Sequence, residues 1–283
     1  MAARPRGSGA ALVTGCSTGI GRATAIALTE AGFTVYATAR RPETLVGLAE
    51  TGIRALALDV TDEASMTAAV ATVEAEHRYV SLLVNNAGYA LQGPVEDTPI
   101  DAVRAQFETN VFGLVRLTQL VLPAMRHARY GRIVNIGSMG GRFTFPGGGY
   151  YHASKHAVEA ISDALRLEVA PFGIQVSLVQ PGPVTSAFVD SAVEGLEDDD
   201  SPYAGFRRDL AERYRQAYDG SSSNLEVAPE KVAEVIVQAA TAERPRSRYA
   251  VGAMAKTLIT SRRLLPDRAW DGVIKNVWPT PKP

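Results

Sequence analysis

The chain has 283 residues, enough for one or two domains of roughly 150 residues each and for a large buried core. Hydrophobic residues make up 46% and charged residues 21%, and 29 basic against 30 acidic side chains leave a formal charge of −1. This balance argues against a nucleic-acid binder working through a basic surface. The single cysteine, Cys16, excludes an internal disulfide or a cysteine-cluster metal site, and no apolar run approaches the roughly 18–20 residues of a membrane span.

Met1–Gly9 reads as a mobile tail. Arg4 and Arg6 ahead of Ala10–Val13 faintly mimic a secretory signal, but the apolar stretch stops at Thr14-Gly15, short of the roughly 7–15 residues required. A cytoplasmic protein is therefore expected. Strand and helix then alternate. Strand Ala10–Val13 precedes helix Gly19–Ala31, strand Thr34–Thr38 precedes helix Pro42–Glu50, and strand Arg54–Leu58 precedes helix Asp62–Glu76. Strand Ser81–Val84 leads to helix Ile100–Arg126, strand Arg132–Ile136 to helix Ser154–Ala170, strand Gln175–Val179 to helix Pro229–Ala242, and strand Tyr249–Val251 closes the series. Several strands are apolar on both faces, as strands of a buried parallel sheet are. Thr61 and Asp62 can cap the helix behind them, Gly32 and Gly173 sit where helices end in a left-handed residue, and Pro123 should bend or end its helix.

This alternation predicts one α/β domain over 10–252: a doubly wound parallel sheet in three layers, with a C-terminal extension over 253–283. Residues 186–227 interrupt the pattern between a strand end and a helix, with the acidic run Glu197–Asp200 and the polar run Gly220–Asn224. Open α/β sheets bind ligands at that edge, so this insertion is expected to cover substrate; a surface loop is the plainer alternative. Pro202–Tyr218 within it looks helical.

Thr14-Gly15-Cys16-Ser17-Thr18-Gly19-Ile20-Gly21 follows the first strand and opens the first helix. Glycines there allow a tight turn and let backbone amides approach a pyrophosphate, which the helix N-terminus also favours. The second strand ends Ala39-Arg40-Arg41, where an NAD-preferring fold places an acid. No carboxylate repels a 2′-phosphate here, and a guanidinium can bind one. NADP(H) is expected, held by Arg40. Cys16 is read as a packing residue.

Tyr151 and Lys155 lie four apart, on one face of a helix. A neighbouring ammonium favours phenolate, so Lys155 is expected to lower the Tyr151 pKa from about 10 and make it a usable acid/base. Lysine is scarce, five against 24 arginines, and one of the five stands here. Ser138 lies upstream at a strand end. No cluster of metal ligands is evident.

Together these motifs resemble the short-chain dehydrogenase/reductase family from about Ala10 to Gly252. Thr14–Gly21, Asp59-Val60, Asn85-Asn86-Ala87-Gly88, the set Ser138, Tyr151, Lys155 and Asn110, and Pro181-Gly182-Pro183-Val184-Thr185 follow in the family's order. The resemblance implies a Rossmann-like fold and an oxidoreductase. Ser138 would polarise a carbonyl, Tyr151 would donate the proton, and Lys155 would also bond the nicotinamide ribose. Asn110 would anchor a water that relays protons. Coenzyme contacts would fall to Gly15, Ser17, Thr18, Gly19, Ile20, Gly21, Arg40, Asp59, Val60, Asn86, Ala87, Gly88, Tyr151, Lys155, Pro181, Gly182, Val184 and Thr185. Asn85 is read as structural, and so are His152 and His156.

Met139, Phe143, Tyr150 and Phe188 are expected to face substrate, with Gly140, Gly149, Gly182, Leu91 and Gln92 near them. The set is mostly apolar, which suits a neutral hydrophobic ketone, aldehyde or alcohol. The strings Thr14–Gly21 and Tyr151–Lys155 are similar to those of hydroxysteroid and retinol dehydrogenases. The resemblance implies a homodimer or homotetramer through the helices over 100–126 and 154–170. The extension, with Leu264, Leu265, Trp270 and Trp278, could cap the substrate site, join a dimer or touch a membrane surface. A redox-neutral isomerase or cyclase on this scaffold, or a non-catalytic dinucleotide sensor, are the competing functions. The intact tyrosine and lysine count against both.

Overall fold

The computed structural model describes residues 9–184, 193, 196, 200–217 and 226–282. Seven parallel strands form one sheet in the order β3-β2-β1-β4-β5-β6-β7. They are β1 (Ala10–Val13), β2 (Thr34–Ala39), β3 (Arg54–Ala57), β4 (Val80–Asn85), β5 (Gly131–Ile136), β6 (Ile174–Pro181) and β7 (Arg248–Val251). The central strands are apolar on both faces because both faces are covered. In β1, Ala11 and Val13 pack toward α1 (Gly19–Glu30) and α7 (Pro229–Thr241), while Ala10 and Leu12 pack toward α2 (Glu63–His77) and α4 (Leu114–Ala128). The three expected layers follow from that period-two alternation.

The caps form largely as expected. Asp62 accepts hydrogen bonds from the Ala64 and Ser65 amides at 2.9 and 3.3 Å. Gly32 and Gly173 are left-handed, at φ +93° and +76°. Two helix readings need correction. The stretch expected as helix Pro42–Glu50 forms only 3-10 turns, Pro42–Leu45 and Ala49–Thr51; Gly47 turns left-handed at φ +84°, and only Leu45 and Leu48 are buried there. The long helix expected over 100–126 is α3 (Ile100–Phe107), a wide π turn (Glu108–Gly113) and α4, which runs through Pro123 to Ala128. Proline in a helix costs about 3 kcal/mol. Burial of Leu117, Val121 and Met125 on one face of α4 offsets it.

Helix α5 (Gly149–Val169) starts a turn and a half earlier than expected, so it includes Tyr151 as well as Lys155. Its buried Glu159 accepts from Gln180 of β6 at 2.5 Å and from Arg248 of β7 at 2.9 Å, which fixes the helix against the sheet. The insertion contains α6 (Ala204–Ala217), and the extension folds as α8 (Ala253–Leu264) and α9 (Asp267–Val277). Residues 1–8 of the expected tail over 1–9, Thr185, Phe188, residues 197–199 of the acidic run and the polar run over 220–224 lie outside the described residues. Among the described residues no helix is long and apolar enough to cross a membrane.

Candidate active site

Strand order reverses between β1 and β4, and a crevice opens at the carboxyl ends of the strands there. A cavity of about 920 Å³ fills it. Its floor is the turn after β1. Gly15 is left-handed at φ +70°, and a Cβ on Gly21 would stand 2.1 Å from the Gly15 carbonyl oxygen, so α1 can begin against the turn only with glycine at 21. The turn is braced from β4. The Asn86 side-chain amide donates to the carbonyls of Thr14 and Gly15 at 2.9 and 3.1 Å, and the Thr14 hydroxyl accepts from the Asn86 and Ala87 amides, both at 2.9 Å. Cys16 is fully buried and donates to the Val13 carbonyl at 3.2 Å, and burial pushes its thiol up to about 12, as a packing residue requires.

Thr18, the residue that caps α1, offers its amides no side-chain hydrogen bond, and the first turn carries no acid. The free amides and the positive end of the helix therefore face the cavity, a donor set that fits a pyrophosphate. At the end of β2, Ala39 and the exposed Arg40 also line the cavity, with Asp59 and Val60 beyond β3. No acidic side chain of β2 opposes Arg40. These residues fit a dinucleotide.

The chemical groups stand across the cavity. Ser138, just past β5, accepts from the Gly140 amide at 3.0 Å and shares a hydrogen bond with Tyr151. Lys155, one turn along α5, donates to the Ile136 carbonyl at 3.0 Å, with its nitrogen 5.9 Å from the Tyr151 ring centre. Burial, rather than the charge of Lys155, sets the direction in which the Tyr151 hydroxyl is shifted. Tyr151 touches cavity solvent but is otherwise enclosed; burial pushes its hydroxyl up to about 12, and the Ser138 hydrogen bond opposes that. Burial also brings Lys155 down to about 8. Desolvation is the largest influence on both groups.

Asn110 lies behind the wall rather than in it. The π turn brings its amide to Tyr89, where its oxygen accepts from the Tyr89 amide at 3.1 Å and its nitrogen donates to the Tyr89 carbonyl at 2.9 Å. The same nitrogen meets the Ser154 hydroxyl at 3.1 Å. Asn85 is structural, donating to Thr118 and Asn135 at 3.1 and 3.0 Å.

With this geometry in view, the comparisons are informative. The family model described as short chain dehydrogenase matches residues 9–197. The chain belongs to that family. It is 38% identical over 259 residues to a 3-ketodihydrosphingosine reductase of Bacteroides thetaiotaomicron, covering 90% of this chain and 93% of the relative. It is 35% identical over 278 residues to an NADPH-dependent 3-dehydrocapnine reductase of Ornithobacterium rhinotracheale, covering 93% and 95%. Among solved structures, a short-chain dehydrogenase from Streptomyces avermitilis superposes with a TM-score of 0.78 at 35% identity, covering 95% of this chain and 98% of that one. The closed form of serine dehydrogenase complexed with NADP+ gives 0.74 at 30% identity, covering 86% and 94%. The enzyme is thus an oxidoreductase of this family, built to bind a nicotinamide coenzyme.

The expected coenzyme residues mostly share the cavity: Gly15, Ser17, Thr18, Gly19, Ile20, Arg40, Asp59, Val60, Asn86, Ala87, Gly88, Pro181, Gly182 and Val184 line it, with Ser138, Met139, Tyr151 and Lys155. Gly21 acts beneath it, through close packing. Two substrate expectations need correction. Phe143 is buried behind the wall against Trp270, with ring centres 5.3 Å apart. Tyr150 turns away to donate to the Val95 carbonyl at 3.0 Å.

The end of the cavity away from the glycine turn is instead lined by Gln92, Phe145, His152, Arg213, Tyr214, Met254 and Trp278. Gln92 was expected, and Trp278 was expected as one of three options for the extension; the others were not. His152 is as structural as expected in one respect, holding the Gly140 carbonyl at 2.7 Å through Nδ1, but it also faces the cavity, and burial pulls its imidazole down to about 4. Trp278 donates to the Pro146 carbonyl at 2.9 Å and stacks on Phe145, so the extension packs over the site. Its tryptophans were the one available signal; nothing local marks Phe145 or Arg213.

Proposed function

We propose that the enzyme is an NADPH-dependent carbonyl reductase, or alcohol dehydrogenase in reverse, acting on hydrophobic small molecules. One observation carries the reading: the Tyr151 hydroxyl meets Ser138 at the wall of the cavity whose floor is the glycine turn. Ser138 accepts from the Gly140 amide, which holds its hydroxyl beside Tyr151, where it can turn its proton to a carbonyl oxygen when substrate binds. Tyr151, with its hydroxyl at about 12, stays protonated at neutral pH and is ready as the acid in reduction. Lys155 at about 8 is mostly charged at neutral pH and stabilises the phenolate once the proton has left. Asn110 acts by positioning the backbone of Tyr89 beside Gly88. When bound, the nicotinamide coenzyme supplies or accepts the hydride.

Arg40 supports NADP(H) over NAD(H), since a bidentate guanidinium suits a 2′-phosphate. The NADP+ complex of the serine dehydrogenase and the stated NADPH dependence of the 3-dehydrocapnine reductase favour the same choice. Ile100, Phe112 and Leu167 are exposed on α3, the π turn and α5, which supports a homodimer or homotetramer through those elements. The test is a panel of bulky ketones and alcohols followed by NADPH absorbance. Reduction of apolar ketones with NADPH, far better than with NADH, is expected. No turnover of any carbonyl compound, or equal use of NADH, overturns the proposal.

A further inference from the structure

A series of rings leads from the chemistry to the far end of the cavity. Tyr151 meets His152 with ring centres 5.6 Å apart, His152 meets Phe145 at 4.3 Å, and Phe145 meets Trp278 at 4.0 Å. The guanidinium of Arg213, from α6, stands over the Trp278 ring at 5.6 Å and closes the series. Arg213 lines the cavity and is half-buried; its Nε is wholly buried and has no hydrogen-bond partner. Among the described residues no carboxylate or carbonyl bonds its guanidinium.

The chain treats its other half-buried arginines differently. Arg207, six residues earlier on α6, pairs with Asp97 at 3.3 Å, and Arg248 pairs with Glu159 at 2.9 Å. A partly desolvated cation without an acceptor is costly, and aromatic stacking replaces only part of what water supplied. Such a group is stable in function when a ligand completes it.

We propose that Arg213 is a specificity-determining residue that binds an anionic group of the substrate. The reducible carbonyl would lie at Ser138 and Tyr151, an apolar body along His152, Phe145 and Trp278, and a carboxylate, sulfonate or phosphate at Arg213. This rests on the carbonyl-reductase reading, and it revises the expected neutral substrate to an anionic amphiphile.

The test uses binding, so it does not depend on turnover. Calorimetry of the full-length NADPH complex, which can neither oxidise decanol nor reduce the anions, compares decanol with decanoate, decanesulfonate and decyl phosphate. Charge-assisted hydrogen bonds of this kind correspond to roughly tenfold or more in affinity, so each favoured anion should bind at least that much tighter than decanol. The best of the three identifies the head group. Arg213→Gln should erase the preference while decanol binding stays within about twofold; Arg213→Lys should keep part of it. Equal affinity for decanol and all three anions, or an undiminished anion preference in Arg213→Gln, overturns the proposal. If Arg213→Gln also loses decanol, Arg213→Lys decides: a preference kept supports the site, a preference lost refutes it. Anion preference intact in a protein that reduces no ketone would count against the reductase reading alone.

Discussion

At the coenzyme end of the cavity the wall is backbone. Asn86 clamps two carbonyls of the glycine turn, Thr14 receives two amides of the next strand's loop, and Thr18 leaves the helix amides free. At the opposite end, where we propose that substrate binds, the wall is side chains. Phe145, Tyr214 and Trp278 come from three distant segments and meet through ring faces and edges at 4.0 and 5.4 Å. The first construction fixes positions to within a hydrogen bond and tolerates almost no change. The second is held by apolar packing, which is non-directional and accommodates altered shapes. One end can therefore keep its chemistry while the other changes what it accepts.

Substitutions at the two ends should consequently differ in kind. Tyr151→Phe gives the largest effect. Removing the acid should lower kcat by roughly 10²–10⁴-fold while NADPH binding, followed by coenzyme fluorescence, is retained. A variant that turns over like the parent would falsify the assigned acid. Arg40→Ser comes next. Losing charge-assisted bonds to a phosphate should lower kcat/KM with NADPH by roughly 10–100-fold and leave NADH unchanged; an equal loss with both coenzymes would mean that Arg40 does not read the 2′-phosphate.

His152 joins the two ends, bonding Gly140 beside Ser138 and packing on Phe145. Burial holds its imidazole at about 4, below the ordinary 6.5, with charge on His156 and the Gly140 and Phe143 backbone bonds as smaller influences. Between these values the unfolded chain binds the extra proton, so stability is fully present above about pH 6.5 and falls as pH drops toward 4. The loss should be on the order of 2–3 kcal/mol. His152→Gln should flatten urea-derived stability across that window. A slope identical to the parent's would place the acid sensitivity elsewhere.

Legibility in the sequence follows the same division. The strands are readable because both-face burial leaves continuous apolar runs such as Ser81–Val84, and the glycine turn because its constraints lie within eight residues. Tyr151 and Lys155 are readable because four residues make one helical turn. The π turn that delivers Asn110 has no such pattern: it depends on Tyr89 and Ser154, far away in sequence. Pro123 misleads because a local penalty is overridden by a packed face. Phe143 and Phe145 are two apart in one loop, and only the tertiary arrangement decides that the first packs on Trp270 and the second enters the cavity.

Trp278→Ala should give the smallest effect and the cleanest division between the ends. The ring touches Phe145, Tyr214 and Arg213 and donates to Pro146, all at the substrate end. No residue of the glycine turn or of β2 is among these contacts. Aromatic pairs contribute about 0.5–1.5 kcal/mol beyond burial, so KM for a bulky ketone should rise roughly threefold to tenfold. KM for NADPH should stay unchanged, and a small methyl ketone that does not reach the ring should be reduced as before. A matching rise in KM for NADPH would mean that the two ends share one packing unit, and that the backbone wall does not insulate the chemistry from the side chains that select its substrate.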